Sequence, residues 1–249
     1  MIQTKEMSAT LVFYPGIFDA LHQVYRVMEN ADPLFKDVTL LQHIPFVDRT
    51  TWLSLLQRVW VFLCILWQGC VDFGQEYDVS LLRSEPSSDI AFGISRGAAT
   101  TFSRWAHASP NETLPQLVVL EGCPDSIGNV LNYRYGRRVG GVVQQLLHRW
   151  TRYRANGMSA LASASRFPLD LPVAFVTSIQ DKSVPASGTQ AIVNLLRARG
   201  HKHVHLLVLQ DAHHNNYYTA SERDRSAYQT FVRLLQDRYV HSTLYDTRS

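Results

Sequence analysis

The sequence predicts an α/β protein: a mostly parallel sheet of about six strands with helices on both faces. Three observations carry this. Short apolar runs alternate with longer amphipathic ones along nearly the whole chain, and strands separated by helical stretches make βαβ units and hence a parallel sheet. No unit of roughly 20–50 residues repeats, which excludes a solenoid. The 249 residues are 46% hydrophobic and 18% charged, a globular composition in a chain long enough to bury its core without a disulfide or metal staple. A single domain over residues 1–249 follows.

Taken in order, Leu11–Tyr14 is a short apolar run stopped by Pro15-Gly16, and reads as the first strand. Phe18–Asn30 reads as a helix, with Asp19 near its start, and Val38–Ile44 as the second strand. Thr51–Trp67 is long and largely apolar, too much so for a surface helix, the pattern of a helix packed on both sides. Asp89–Gly93 predicts the third strand, Arg96–His107 a helix and Leu117–Glu121 the fourth strand. Pro172–Ser178 predicts the fifth strand, Pro185–Arg199 a helix stopped by Gly200, Val204–Leu209 the sixth strand and Ser221–Tyr239 the closing helix. Residues 124–170 break the alternation. They hold Gly128, Gly136, Gly140 and Gly141, then a helical segment over Val142–Tyr153, then the small polar stretch Ser159–Ser165. This stretch is too short to have its own core and predicts a cap or lid insert.

The net charge is +3, which by itself implies no nucleic-acid partner. Cys64, Cys70 and Cys123 are an odd number without a CxxC pair, so neither a disulfide framework nor a zinc site follows, and reduced thiols in an intracellular protein are expected. The first ten residues have no apolar core of signal-peptide length. The longest apolar run, Val59–Trp67, is far short of a membrane span. The expectation is a soluble, cytoplasmic protein with no membrane span.

Gly93-Ile94-Ser95-Arg96-Gly97 fits G-x-S-x-G, and its context gives the pattern weight. It follows a strand directly and opens a helix directly. A turn that tight forces its central residue into a strained conformation, and glycines two residues before and after relieve the backbone clash. The Ser95 hydroxyl then projects above the sheet at a helix N-terminus, which favours developing negative charge. A nucleophilic serine needs a base and an orienting acid. Asp181 follows the fifth strand in Gln180-Asp181-Lys182-Ser183-Val184-Pro185, and His213 and His214 follow the sixth. Both turns lie at the same sheet edge as Ser95.

The order Ser, Asp, His on successive strand ends, with this elbow and acid turn, resembles the α/β-hydrolase superfamily over roughly residues 10–238. The elbow is similar to those of dienelactone-hydrolase-like, prolyl-oligopeptidase-like and acyl-thioesterase-like members. The resemblance implies the α/β-hydrolase fold, trimmed at the start because only nine residues precede Thr10. It implies a serine hydrolase that cleaves a carboxylic ester or thioester of a small-molecule or acyl substrate, with no cofactor and no metal. A serine peptidase and a non-catalytic binding protein on the same fold are the alternatives. Ser95 would be the nucleophile, Asp181 the acid and His213 the base, since Ala212 stands where the family usually has the glycine of Gly-His. His214 is the alternative base, and otherwise would begin the next turn or line the pocket rim. The oxyanion would be held by the N–H groups of Arg96 and Ile17, with Phe18 as second choice for the latter and as a substrate contact. Pro15 stands in that loop where the family usually has a histidine.

Other residues have plainer readings. Asp125 is an alternative acid after the fourth strand, and Cys123 a packed thiol. His201, His203 and His205 share one strand face without a partner in sequence that would make them a metal site. Residues 126–169 hold seven arginines, Arg134, Arg137 and Arg138 among them, and no Asp, Glu or Lys. Such a stretch suits an anionic substrate group or an acidic partner surface. It is equally the pattern of a solvated cap face, or of arginines paired with acids elsewhere.

Overall fold

The computed structural model of the chain describes residues 9–14, 38–43, 88–150, 159–214, 216–218 and 220–241. Six strands form one parallel sheet: β1 (Ala9–Tyr14), β2 (Val38–His43), β3 (Ile90–Ile94), β4 (Leu117–Glu121), β5 (Val173–Ser178) and β6 (Val204–Leu209), in the spatial order β2-β1-β3-β4-β5-β6. The order reverses at β1, so the connections leaving the C-terminal ends of β1 and β3 run in opposite directions. In open parallel sheets a crevice forms outside the strand ends at such a point. Ser95 follows β3 and therefore sits at that crevice.

The strands are apolar on both faces because both faces are covered. On one face, Ile90, Phe92, Leu117, Val119, Ala174 and Val176 pack with Tyr217, Tyr228, Val232 and Leu235, the latter three carried by or leading out of helix α6 (Glu222–Gln236). The alternate residues, Ala91, Val118, Leu120, Val173 and Phe175, pack on the other face. Their partners are Ala98, Phe102 and Trp105 of α1 (Arg96–Ala106) and Ile192, Val193 and Leu196 of α5 (Ala186–Ala198). Phe102 stacks on Phe167 with ring centroids 4.5 Å apart and lies 5.8 Å from Phe175. Each such buried ring contributes roughly 2 kcal/mol of transfer free energy.

Between β4 and β5 the chain forms α2 (Ile127–Tyr135), α3 (Arg137–Trp150) and the short α4 (Ala160–Ser163). Gly128, Gly140 and Gly141 of the glycine-rich part thus lie within helices, and Gly136 stands between the two. Ser126 starts α2 by accepting a hydrogen bond from Asn129 N. Gly140 serves packing: a Cβ there would stand 2.9 Å from both Cα and the backbone N of Asn132, so the two helices approach as closely as they do only without that side chain. Helix α3 accordingly begins at Arg137 rather than at Val142.

The third strand begins at Ile90, one residue later than the sequence pattern suggests. Asp89 is occupied otherwise: Oδ2 accepts from Thr10 N and Oγ1, each at 2.7 Å, and Oδ1 from Gln116 Nε2 at 2.8 Å. Its side chain ties the starts of β1, β3 and β4 together. The closing helix gives way after Gln236 to a π-helical turn, Asp237–His241. The helices expected over Phe18–Asn30 and Thr51–Trp67 lie outside the described residues.

Candidate active site

Ser95 has φ 56° and ψ −119° and is the one non-glycine residue with positive φ among the described residues. The surrounding hydrogen bonds hold it there. Its N–H donates to the Glu121 carbonyl at 2.7 Å, and its own carbonyl accepts from Ala98 N and Ala99 N at 3.0 and 3.2 Å. Gly93 makes the turn sterically possible, because a Cβ there would stand 2.6 Å from the Gly97 carbonyl oxygen and 2.8 Å from Ala98 Cα. The hydroxyl therefore rises off the strand end at the N-terminus of α1, with the Arg96 backbone next to it.

Asp181, 1% exposed, sits in the turn after β5. Its Oδ1 accepts from Ser183 N at 2.8 Å and Val184 N at 2.9 Å. Its Oδ2 contacts His214 Nδ1 at 2.7 Å and accepts from the Tyr217 hydroxyl at 2.5 Å. Burial alone would raise the pKa of this carboxyl. The hydrogen bond and charge of His214, the Tyr217 hydroxyl and the Val184 N–H outweigh that burial and hold it below its ordinary value. An ionised carboxylate only accepts, so His214 Nδ1 carries a hydrogen, and Nε2 receives the Ser95 hydroxyl at 2.9 Å. One continuous series, Ser95–His214–Asp181, results.

The histidine in that series is His214, which corrects the expectation for His213. The His213 side chain is exposed, and its Nδ1 lies 3.3 Å from the Gln180 carbonyl. The cause is the buried carboxylate of Asp224, which accepts backbone N–H groups from Gln210 (3.1 Å), Asp211 (2.7 Å) and Ala212 (2.9 Å). These bonds hold the chain beyond the end of β6 with Ala212 buried against the core. A turn closed by Asn216 N onto the His213 carbonyl at 3.1 Å then directs the next residue inward. Gly122 makes room for it. Its φ is +54°, and a Cβ there would stand 2.7 Å from the Tyr217 hydroxyl and 3.0 Å from His214 Cε1.

The other residues singled out from the sequence fall as follows. Asp125 does not face His214. It accepts from Ser126 N at 2.6 Å and from the Asn129 side chain, and so fixes the start of α2. Cys123 is a free, fully buried thiol whose pKa is pushed up by burial and by the charge of Asp125. Tyr239 bridges His205 of β6 and His203 just before it, its hydroxyl 2.8 Å from His205 Nε2 and 3.2 Å from His203 Nδ1. Among the described residues no group of three or more His, Cys, Asp or Glu could hold a metal ion, and no helix is long and apolar enough to cross a membrane. Arg134, Arg137 and Arg138 are exposed on α2 and α3, with Arg134 over the ring of Tyr135. Ile17 and Phe18 lie outside the described residues.

Three residues at the site escaped the sequence reading: Tyr217, Asp224 and Tyr133. The Tyr133 hydroxyl donates to the Asp181 backbone carbonyl at 3.2 Å and so ties the insert to the acid turn. The pair Tyr217-Tyr218 shortly after the histidines was the available signal for the first. The others carry no local pattern.

No protein-family model matches the chain, and no curated protein sequence matches it. Solved structures do. The acylaminoacyl peptidase of Pyrococcus horikoshii, uncomplexed, is similar with a TM-score of 0.60 and 14% identity, over 95% of this chain and 38% of that one. An esterase of Pyrococcus furiosus is similar with a TM-score of 0.58 and 13% identity, over 94% of this chain and 83% of the esterase. A thermophilic esterase from the planctomycete Thermogutta terrifontis gives 0.51 and 13%, over 96% and 84%. This chain spans well under half the length of the acylaminoacyl peptidase it matches. It has the α/β-hydrolase fold.

Proposed function

We propose that this chain is a serine hydrolase that cleaves a carboxylic ester or thioester of an acyl substrate through an acyl-enzyme. The observation that carries the reading is the position of His214, within hydrogen-bond reach of both Ser95 Oγ and Asp181 Oδ2, at a strained strand-to-helix turn. Fold likeness alone would not carry it, because one fold hosts many functions.

In the proposed reaction His214 Nε2 takes the Ser95 hydroxyl proton as Oγ attacks the acyl carbon. Asp181 holds the imidazole with Nε2 toward the serine and stabilises the imidazolium that forms. The Arg96 N–H, at the N-terminus of α1, donates to the tetrahedral oxyanion, and the Ile17 N–H is the proposed second donor. The imidazolium then protonates the departing alkoxide or thiolate. Water, deprotonated by His214, cleaves the acyl-enzyme and returns the Ser95 hydroxyl. Side chains and backbone groups of the chain, with water, supply every step.

A fluorophosphonate probe tests the reading: it labels the wild type at Ser95 and leaves Ser95→Ala unlabelled. A series of p-nitrophenyl esters of increasing chain length then defines the acyl group. A wild type that neither reacts with the probe nor turns over any ester would be a binding protein on a hydrolase fold. The likeness to acylaminoacyl peptidase supports a second reading, release of an acylated residue from a peptide. Hydrolysis of an acylaminoacyl p-nitroanilide at a rate above that of the esters would establish it.

A further inference from the structure

Helix α3 turns an apolar stripe to the outside. Val139, Val142 and Leu146 are 55%, 56% and 44% exposed, and at about 100° per residue they fall within a sector of ~60°. Arg138 and Arg149, both exposed, lie along one edge of that sector. The opposite side of the helix is used up, since Gly140 is buried against Asn132 of α2. A helix on a solvated surface shows the reverse pattern, polar residues outward and apolar residues inward. Tyr133 and Tyr135, at the end of α2, are also half exposed, and their rings combine an apolar body with a polar tip. In sequence, residues 126–169 carry seven arginines and no Asp, Glu or Lys, and Arg134, Arg137 and Arg138 are exposed on α2 and α3 themselves.

We propose that the outer face of the α2–α3 hairpin is a docking surface for an anionic lipid bilayer. Helix α3 lies in the plane of the interface, with Val139, Val142 and Leu146 at the acyl boundary and Arg138 and Arg149 among the headgroup phosphates. Three aliphatic side chains are a small apolar area, so binding depends on the charge as well. A second copy of the chain is a poor occupant, because it brings the same cations against this face. An acidic polypeptide answers the arginines and leaves the aliphatic stripe without an apolar counterpart. The surface is beside the candidate active site, since Tyr133 of the same hairpin holds the Asp181 carbonyl.

The test is sedimentation of the full chain with vesicles of phosphatidylcholine alone and of phosphatidylcholine containing one third phosphatidylglycerol. The chain is expected to bind the anionic vesicles, to be released as salt is raised, and to leave the neutral vesicles alone. Val142→Glu/Leu146→Glu and, separately, Arg149→Glu should each weaken binding by ~10-fold or more, because each brings negative charge onto the membrane face. Circular dichroism and thermal unfolding establish that the variants are folded. Arg149→Glu, a change at an exposed polar position, keeps the test decisive if the double variant does not fold. No binding to anionic vesicles, equal binding to both kinds, or variants that bind like the wild type would overturn the proposal. So would binding of soluble polyglutamate without vesicle binding, which would assign the surface to an acidic polypeptide.

Discussion

Tyr217 and His214 share one oxygen of Asp181: the tyrosine hydroxyl approaches Oδ2 at 2.5 Å and the imidazole Nδ1 at 2.7 Å. The carboxylate thus has its charge drawn in two directions, with two backbone N–H groups on its other oxygen. Tyr217 is fully buried, so its hydroxyl is held in place rather than exchanging with water.

Tyr217→Phe removes that donor and little volume. The Asp181 pKa rises because one of the groups lowering it is gone, so the carboxylate is protonated from a higher pH downward. The acid limb of kcat/KM should therefore move to higher pH, with a loss of about 1–3 kcal/mol in unfolding free energy for a buried hydrogen bond to a charged group. A pH profile that coincides with that of the wild type would show that Tyr217 only packs.

Ser95→Gly separates strain from chemistry. A non-glycine residue at φ 56° and ψ −119° is held in a sparsely populated region at a cost on the order of 1 kcal/mol or more, which glycine does not bear. Activity should vanish while the midpoint of urea unfolding rises. A fall in the midpoint would mean that the Ser95 hydroxyl, through its bond to His214, stabilises the fold by more than the backbone strain opposes it.

His214→Gln should lower turnover and fluorophosphonate labelling by at least ~10²-fold, the contribution of a positioned general base. His213→Gln should leave both close to wild type, since its ring is exposed and its Nδ1 lies toward the Gln180 carbonyl at 3.3 Å. A reversed result would return the base to the preceding residue.

The choice between these two histidines shows where the sequence could be read and where it could not. The sheet, its order of βα units and the placing of Ser95 and Asp181 follow from local patterns: apolar runs, a glycine on each side of a serine, a carboxylate after a strand. Each is written within a few neighbouring residues. The choice of His214 depends on Asp224, ten residues further along and on another element. Its carboxylate decides how far the chain runs before it turns. Period-based reasoning counts residues from the strand end and has no access to such a bond. The start of α3 was hidden similarly: no local pattern marks Gly140 as a helical residue, and only the packing of α3 on α2 shows it as a point of close approach.

Asp224→Ala tests that relationship. The variant leaves three backbone N–H groups, those of Gln210, Asp211 and Ala212, without their acceptor. Asp224 is 1% exposed, so water reaches the vacated side only by entering the core edge. Bonds to a charged acceptor contribute roughly 1.5–3 kcal/mol each, and they are not additive when they share one acceptor. A total loss of about 3 kcal/mol in unfolding free energy is expected. Asp224→Asn keeps one carbonyl oxygen, which serves Asp211 and Ala212 best, and turns an amide donor toward Gln210 N–H. It should fall between the wild type and Asp224→Ala. The stability loss alone would be compatible with any buried carboxylate. The distinguishing measurement is the rate of fluorophosphonate labelling under conditions where all three proteins are folded. If Asp224 sets the position of His214, the rate falls in the order wild type, Asn, Ala, while tight small esters keep their KM. If labelling is unchanged in folded Asp224→Ala, the loop finds the same turn without its anchor, and the inward placing of His214 is dictated by the turn His213–Asn216 and by Gly122 instead.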